Sequence, residues 1–266
     1  MLPISFLSDY GHRDEWVGVC HGVIERIAPG ANVIDIAHDL PPTDVRHAAF
    51  VLENALPFLP HGIVLAVVDP GVGSRRRAVA LRCRSGTVLV GPDNGLLWPA
   101  AHAAGGVDLA VDVSASPFRL DRVSATFHGR DVFAPVAAHL ALGAAPEDAG
   151  KAIEHQALAF LEAAAPDVDG ESLRAEVRIV DRFGNVQLQA RAQDMESAGL
   201  PPGACVKVAG RFEATRGRTF ADVGSGELVV YEDSSGWIAV AMNGGSAAAT
   251  LAVAGGSPLM LSPCTP

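Results

Sequence analysis

Six short stretches of this 266-residue chain gather acids, arginines, a histidine and carboxamides at spacings that suit chemistry. In LSDYGHRD, residues 7–14, Asp9 falls at the carboxyl end of a strand-like run. Open α/β sheets bind ligands beyond that end of their strands. A carboxylate there can accept hydrogen bonds from both hydroxyls of a ribose diol, or simply cap a turn. In VVDPGVGSRRR, residues 67–77, Asp69 closes an apolar run, Pro70, Gly71 and Gly73 set a tight turn, and Arg75, Arg76 and Arg77 follow. An acid with no polar residue before it stands where a core meets a cleft. The alternative is a plain turn with solvated arginines. In TFHGRD, residues 126–131, His128 precedes the start of a helix. The positive end of that helix disfavours protonation, and a neutral imidazole can orient or deprotonate a water.

Three weaker stretches follow. GPDNGLL, residues 91–97, is a turn whose Asn94 can line a site. VDRFGNV, residues 180–186, alternates Asp181, Phe183 and Asn185, which share one face if the segment is extended. An aromatic beside a carboxylate and a carboxamide suits a purine or an amino-acid head group. YEDSSGWIAVAMNGGSAA, residues 231–248, sets Ser234 and Ser235 before a glycine turn and Asn243-Gly244-Gly245 after a strand. Exposed amides there can bind a carboxylate. Each of these three, taken singly, also reads as a turn.

The elements that must hold these residues alternate at first. PISFLS, NVIDIA, GIVLAVVD, AVALRC, TVLVG and VDLAVDV read as strands. Residues 14–28, 44–56 and 130–142 read as helices, as does LLWPAAHAA, from apolar spacing and from Pro and Gly stops. GIVLAVVD is almost wholly apolar, as expected of a strand covered on both faces. The pattern predicts a layered α/β domain with a mostly parallel sheet over residues 1–165. After about residue 145 the character changes. LRAEVRIV, NVQLQA, CVKVAG, ELVVYE, WIAVAM and ATLAVA recur between glycine-rich turns, which predicts an all-β domain, a small barrel or sandwich, over residues 166–266.

Composition narrows the partners. Apolar residues are 49 % and charged residues 19 %, an ordinary globular mix. The net charge of −10 repels phosphate backbones and argues against nucleic acid. No apolar run approaches a membrane span, and the N-terminal run lacks a basic segment and a cleavage site, so a cytoplasmic location is the default. The four cysteines are widely separated with no C-x-x-C pair, which indicates no zinc or redox motif. Cys20 and Cys83 lie in apolar stretches and read as reduced core residues.

Together and in this order, the six motifs resemble the S-adenosyl-L-methionine (SAM) hydrolases that form adenosine, the SAM hydroxide adenosyltransferases, of the fluorinase and chlorinase superfamily. The resemblance runs from LSDYG to MNGGSAA. It implies an N-terminal α/β domain, a C-terminal β barrel and a homotrimer, with SAM between the N-domain of one subunit and the C-domain of its neighbour. It places an Asp-Arg-His set around the attacking water on Asp69, Arg76 and His128, with Arg76 assigned by its spacing from DPGVG. Asp9 would hold the ribose hydroxyls. Phe183 and Asn185 would serve adenine stacking and methionine-side contacts, Asp181 the amino-acid portion, and Asp14 the methionine amine. Ser234 and the backbone near Met242 and Gly244 would add further contacts. SAM is the substrate, and no cofactor or metal is expected. Halogenating relatives carry Tyr where Asp69 stands, and the fluorinase has an insertion for which the interval between Arg77 and Gly91 leaves no room. Both departures favour water over halide. A SAM-dependent halogenase and a non-catalytic SAM or adenosine sensor remain the alternatives.

Overall fold

Ile63, Leu65 and Val67 of one strand lie in one apolar core, and Val64, Ala66 and Val68 lie in another. That strand therefore has helices on both faces, which is why its sequence does not alternate between polar and apolar. The computed structural model describes residues 1–264, and the chain divides into two compact units, Met1–Leu161 and Glu162–Pro266.

The first unit contains β1 (Ile4–Ser8), α1 (Trp16–Ile27), β2 (Val33–Ala37), α2 (Val45–Ala55), β3 (Ile63–Val67), β4 (Ala78–Cys83), β5 (Val88–Pro92), α3 (Trp98–Ala103), β6 (Val107–Asp112), α4 (Ala134–Ala141) and β7 (Lys151–Ile153). The strands form one seven-stranded sheet in the order β2-β1-β3-β5-β4-β6-β7. Val17, Cys20, Val23 and Ile24 of α1 and Val136 and Leu140 of α4 pack on one face. Ala48, Ala49 and Leu52 of α2 and Ala100 and Ala101 of α3 pack on the other. The sheet is mixed. The expected parallel arrangement holds across β2, β1, β3 and β5. The pairs β5–β4, β4–β6 and β6–β7 are antiparallel. The physical reason is the link between β4 and β5, which spans only residues 84–87. A parallel crossover needs a dozen residues or more.

Two helix ends matter for the site. Asp44 caps α2 by accepting from the His47 N–H at 2.9 Å. The helix expected over 130–142 begins instead with a single π-type turn, Gly129–Phe133, directly after His128, and then continues as α4.

The second unit contains β8 (Asp167–Asp169), β9 (Ser172–Val180), β10 (Val186–Leu188), α5 (Ala192–Ser197), β11 (Cys205–Val208), β12 (Phe212–Arg216), β13 (Leu228–Glu232), β14 (Ile238–Met242), α6 (Ala247–Leu251) and β15 (Pro258–Pro263). Its sheet runs β10-β14-β13-β12-β11-β15-β9-β8, and β9 also pairs with β10, so seven strands close into a barrel. Leu173, Ala175, Val177, Val206, Val208, Val230, Val240 and Leu261 fill its interior at alternate positions. One strand expectation fails. ATLAVA is not a strand, because the Ser246 hydroxyl accepts from the Ala249 N–H at 3.1 Å and starts α6 over an alanine-rich run. Strands β12 and β15 and helix α5 were not expected from the pattern. A disulfide joins Cys205, at the start of β11, to Cys264, just past β15, while Cys20 and Cys83 are buried free thiols. Among the described residues no helix is long and apolar enough to cross a membrane.

Candidate active site

Strand β3 delivers Asp69. Val68 is still fully buried, and the Asp69 side chain is 6 % exposed at the first turn beyond it. The turn is drawn tight by the Val72 N–H on the Asp69 carbonyl at 3.2 Å and the Ser74 N–H on the Gly71 carbonyl at 3.1 Å. Gly73 has φ +77°, and a Cβ there would stand 2.5 Å from the Ala125 carbonyl oxygen, so only glycine lets the two loops touch.

This turn folds Arg76 back onto the acid. Nε of Arg76 donates to Oδ1 of Asp69 at 2.9 Å, and Nη2 donates to Oδ2. The pairing is bidentate, the strong and orienting form of an arginine–carboxylate contact. Nη2 also lies 3.2 Å from Nδ1 of His128, and the guanidinium sits 5.3 Å from the Phe133 ring centre. Arg75 is exposed. Arg77 turns away to Asp93, at 2.8 Å from its Nε, and to the Ala157 carbonyl. Of the three consecutive arginines, Arg76 is the one at Asp69.

Arginine has no acceptor, so Nδ1 of His128 is the acceptor in that contact and the neutral ring carries its proton on Nε2. Burial pushes the His128 pKa below its ordinary value and the Arg76 charge pushes it further, against the weaker opposing pull of Asp69 and Asp131. The imidazole is therefore neutral near neutral pH. Asp131 anchors the loop that leads to it, accepting from the Ser124 N–H at 2.8 Å and from Nε of Arg130 at 2.6 Å.

Asp9 follows β1 and accepts from the Thr43 N–H at 2.8 Å. Thr43 holds φ 65°, an unusual backbone for a β-branched residue, and this aims its N–H at the acid. Asp9, Asp69 and His128 line one cavity of about 90 Å³, together with Tyr10, Thr43 and Thr126. Arg76 is outside its wall and acts on the cavity through the two residues it touches. Tyr10 packs over Gly129, where a Cβ would meet its hydroxyl at 2.0 Å. Burial, followed by the nearby Cys20, Asp9 and Asp69, raises the Tyr10 pKa well above its usual value, so the phenol stays protonated. Tyr10, Thr43 and Thr126 were missed in the sequence. Tyr10 adjoins Asp9 inside the first motif and Thr126 opens the TFHGRD motif, whereas nothing marks Thr43.

Two expected contacts in this unit lie elsewhere. Asp14 is exposed and outside the cavity wall. Asn94 is a brace, since its Nδ2 donates to the Val68 carbonyl at 2.9 Å and its Oδ1 accepts from the Leu96 N–H at 3.2 Å. It holds the end of the strand that presents Asp69.

In the second unit, residues 181–185 form a tight turn and not an extended face, with the Gly184 N–H on the Asp181 carbonyl at 3.0 Å. Asp181 Oδ1 accepts from the Asn185 N–H at 2.9 Å, and Oδ2 accepts from Asn185 Nδ2 at 2.7 Å. Phe183 is left at the tip, 69 % exposed. Asp181, Asn185 and Ser234 line one cavity of about 380 Å³, with Phe220, Tyr231 and Asp233 in the same wall. Those last three were not anticipated. Met242 lines a different cavity of about 420 Å³, and Gly244 is in the wall of neither.

The first unit thus offers a small polar pocket with a carboxylate pair, a neutral imidazole and a fixed cation behind them. Such a set can hold and orient a water beside a polyhydroxylated ligand. Comparison with known proteins gives the family. Residues 4–150 match the SAM hydroxide adenosyltransferase N-terminal domain, and residues 175–260 match the C-terminal domain. A protein of Salinispora arenicola called (R)-S-adenosyl-L-methionine hydrolase is 53 % identical over 96 % of this chain and 96 % of its own. A fluorinase of Actinopolyspora mzabensis is 30 % identical over 92 % of each chain. The crystal structure of an uncharacterized conserved protein from Thermotoga maritima superposes with a TM-score of 0.90 at 36 % identity, covering 97 % of this chain and 99 % of that one. The chain belongs to the SAM hydroxide adenosyltransferase family.

Proposed function

We propose that this protein hydrolyses SAM to adenosine and L-methionine by attack of water on the ribose 5′-carbon. The observation that carries the reading is the Asp69–Arg76–His128 cluster set beside Asp9 around one cavity. A bond forms from the water oxygen to C5′ and the C5′–S bond breaks, its electron pair remaining on sulfur. Methionine leaves as a neutral thioether, one water proton passes to solvent, and the reaction balances without a cofactor. The leaving group needs no acid, so the demand falls on the nucleophile, whose pKa in bulk is about 15.7. Nε2–H of His128 donates to the water, Asp69 accepts from it, and Arg76 fixes both partners. Held geometry of this kind can supply roughly 7–11 kcal/mol of a barrier. Asp9 binds the ribose diol.

The 53 % identical relative carries the hydrolase name, which supports water as the nucleophile and the (R) sulfonium as the substrate epimer. Asp181, Asn185 and Ser234 serve the adenine and amino-acid ends of the ligand. The protein works as a homotrimer in the cytoplasm, with SAM between the first unit of one subunit and the second unit of its neighbour. The two cavities, each with part of the required chemistry, support this arrangement. The net charge of −10 suits a cationic small molecule and not nucleic acid.

The test is incubation with each SAM epimer in 18O-labelled water, followed by mass spectrometry. Adenosine labelled at its 5′-oxygen, formed with methionine from the (R) epimer, is expected. A 5′-halogenated adenosine formed with added halide would move the protein to the halogenase branch. Intact SAM with tightly held adenosine would leave a sensor.

A further inference from the structure

Away from the cavity just described, on the α1 side of the edge strand β2, three side chains from three segments converge. Nε2 of His21, on α1, lies 2.9 Å from Oδ1 of Asp35, on β2. Nε2 of His38, just past β2, lies 3.0 Å from the same oxygen. The three donor atoms all fall within 4.8 Å of one another. We propose that His21, Asp35 and His38 form a binding site for a divalent transition ion of the zinc class.

The donor set suits that ion. Two imidazole nitrogens and one carboxylate oxygen are zinc ligands, and three protein ligands with a water in the fourth position make a complete tetrahedral shell. Ligand bonds of about 2.0–2.2 Å put neighbouring donors roughly 3.3 Å apart. The observed separations from Oδ1 need to open by only a few tenths of an ångström. His38 is preorganised. Its side chain is fully buried, its Nδ1 lies 2.6 Å from the Ser8 hydroxyl, and its ring meets the Phe6 ring edge-on at 4.6 Å between centres. With its proton on Nδ1, donated to Ser8 Oγ, the ring turns the Nε2 lone pair toward the ion. A partner on the second nitrogen is the usual way a metal-binding histidine is oriented. His21 and Asp35 keep side-chain exposures of 34 % and 42 %, so the ion has an entry path and room for its water. Filled, the site pins α1 to the sheet edge and steadies Ser8, which directly precedes Asp9.

The site lies wholly within the first unit and does not depend on the proposed reaction. Metal-free full-length protein is titrated with Zn²⁺ by calorimetry and with Co²⁺ by visible absorption. One equivalent is expected to bind, with a rise in Tm, because an ion that binds only the folded state stabilises it. His21→Ala and Asp35→Asn are each expected to weaken binding at least about tenfold. His102→Ala, at an exposed histidine on α3, keeps full affinity. His21→Ala places the best helix former on a half-exposed helical position, so its fold survives and its result is readable. Absence of uptake, or uptake undiminished in both His21→Ala and Asp35→Asn, overturns the proposal.

Discussion

Removing the Arg76 guanidinium leaves a nearly buried Asp69 carboxylate without its two donors and His128 without the charge on its Nδ1 side. Arg76 touches the cavity only through those residues, so its loss should fall on turnover and spare binding. Arg76→Ala is expected to keep SAM affinity within about tenfold while kcat drops about 10²–10³-fold, read by calorimetry and steady-state rates. Arg76→Lys restores a charge without the two-pronged geometry and should rescue only part of the rate. If His128 acts on the water as proposed, it should set the acid limb of the pH profile. Its folded-state pKa is depressed, so the neutral form persists below the ordinary histidine value. Rates should stay flat from neutral pH down to about 6.5 and fall only in more acid buffer. His128→Asn should remove that limb, leaving a lower rate without the acid fall. At this scale the candidate site was legible where a motif coincides with a strand end, as at Asp9 and Asp69, or with a helix start, as at His128. It was not legible where a contact depends on tertiary approach. Asn94 stands in a promising turn yet spends its amide on the Val68 carbonyl, and Thr43 reaches Asp9 through a backbone angle that no spacing reveals.

Among elements, the sheet of the first unit was readable because strands with both faces covered lose their alternation, as β3 does. The antiparallel half follows from a feature present in the chain, the missing helix between β4 and β5. In the barrel, ATLAVA illustrates a real ambiguity. A short, mostly apolar run satisfies strand and helix patterns alike, and the capping serine before it decides. That cap is testable. Ser246→Ala should cost about 1 kcal/mol, seen as a lower urea midpoint at unchanged slope by circular dichroism. The disulfide was invisible because Cys205 and Cys264 are 59 residues apart and meet only through the β11–β15 pairing. The proposed cytoplasmic location predicts that this pair is a dithiol in the cell, because that compartment is reducing. Alkylation before lysis, followed by mass spectrometry, should find both cysteines modified, whereas air-exposed purified protein should show neither.

For the whole molecule, the proposed homotrimer predicts a division of labour between subunits. Asp69→Asn disables the cavity of the first unit, and Asn185→Ala disables that of the second. Each variant alone should be inactive. Co-refolded in equal amounts, a ring whose sites are shared between neighbours should recover roughly a quarter of its sites by random assortment. No recovery would mean that each site is built within one chain. The closed barrel also has a consequence for the order of synthesis. Leu173 of β9 pairs with Leu261 of β15, so the ring of strands stays open until β15 has left the ribosome. The first unit is complete at residue 161, which is 97 residues (258 − 161) before β15 begins. At roughly 5–20 residues per second the first unit therefore has a head start of about 5–20 s. A message truncated before Pro258 would yield a finished α/β unit tethered to a barrel with the β15-facing edges of β9 and β11 unpaired, the kind of open edge from which strands recruit other chains.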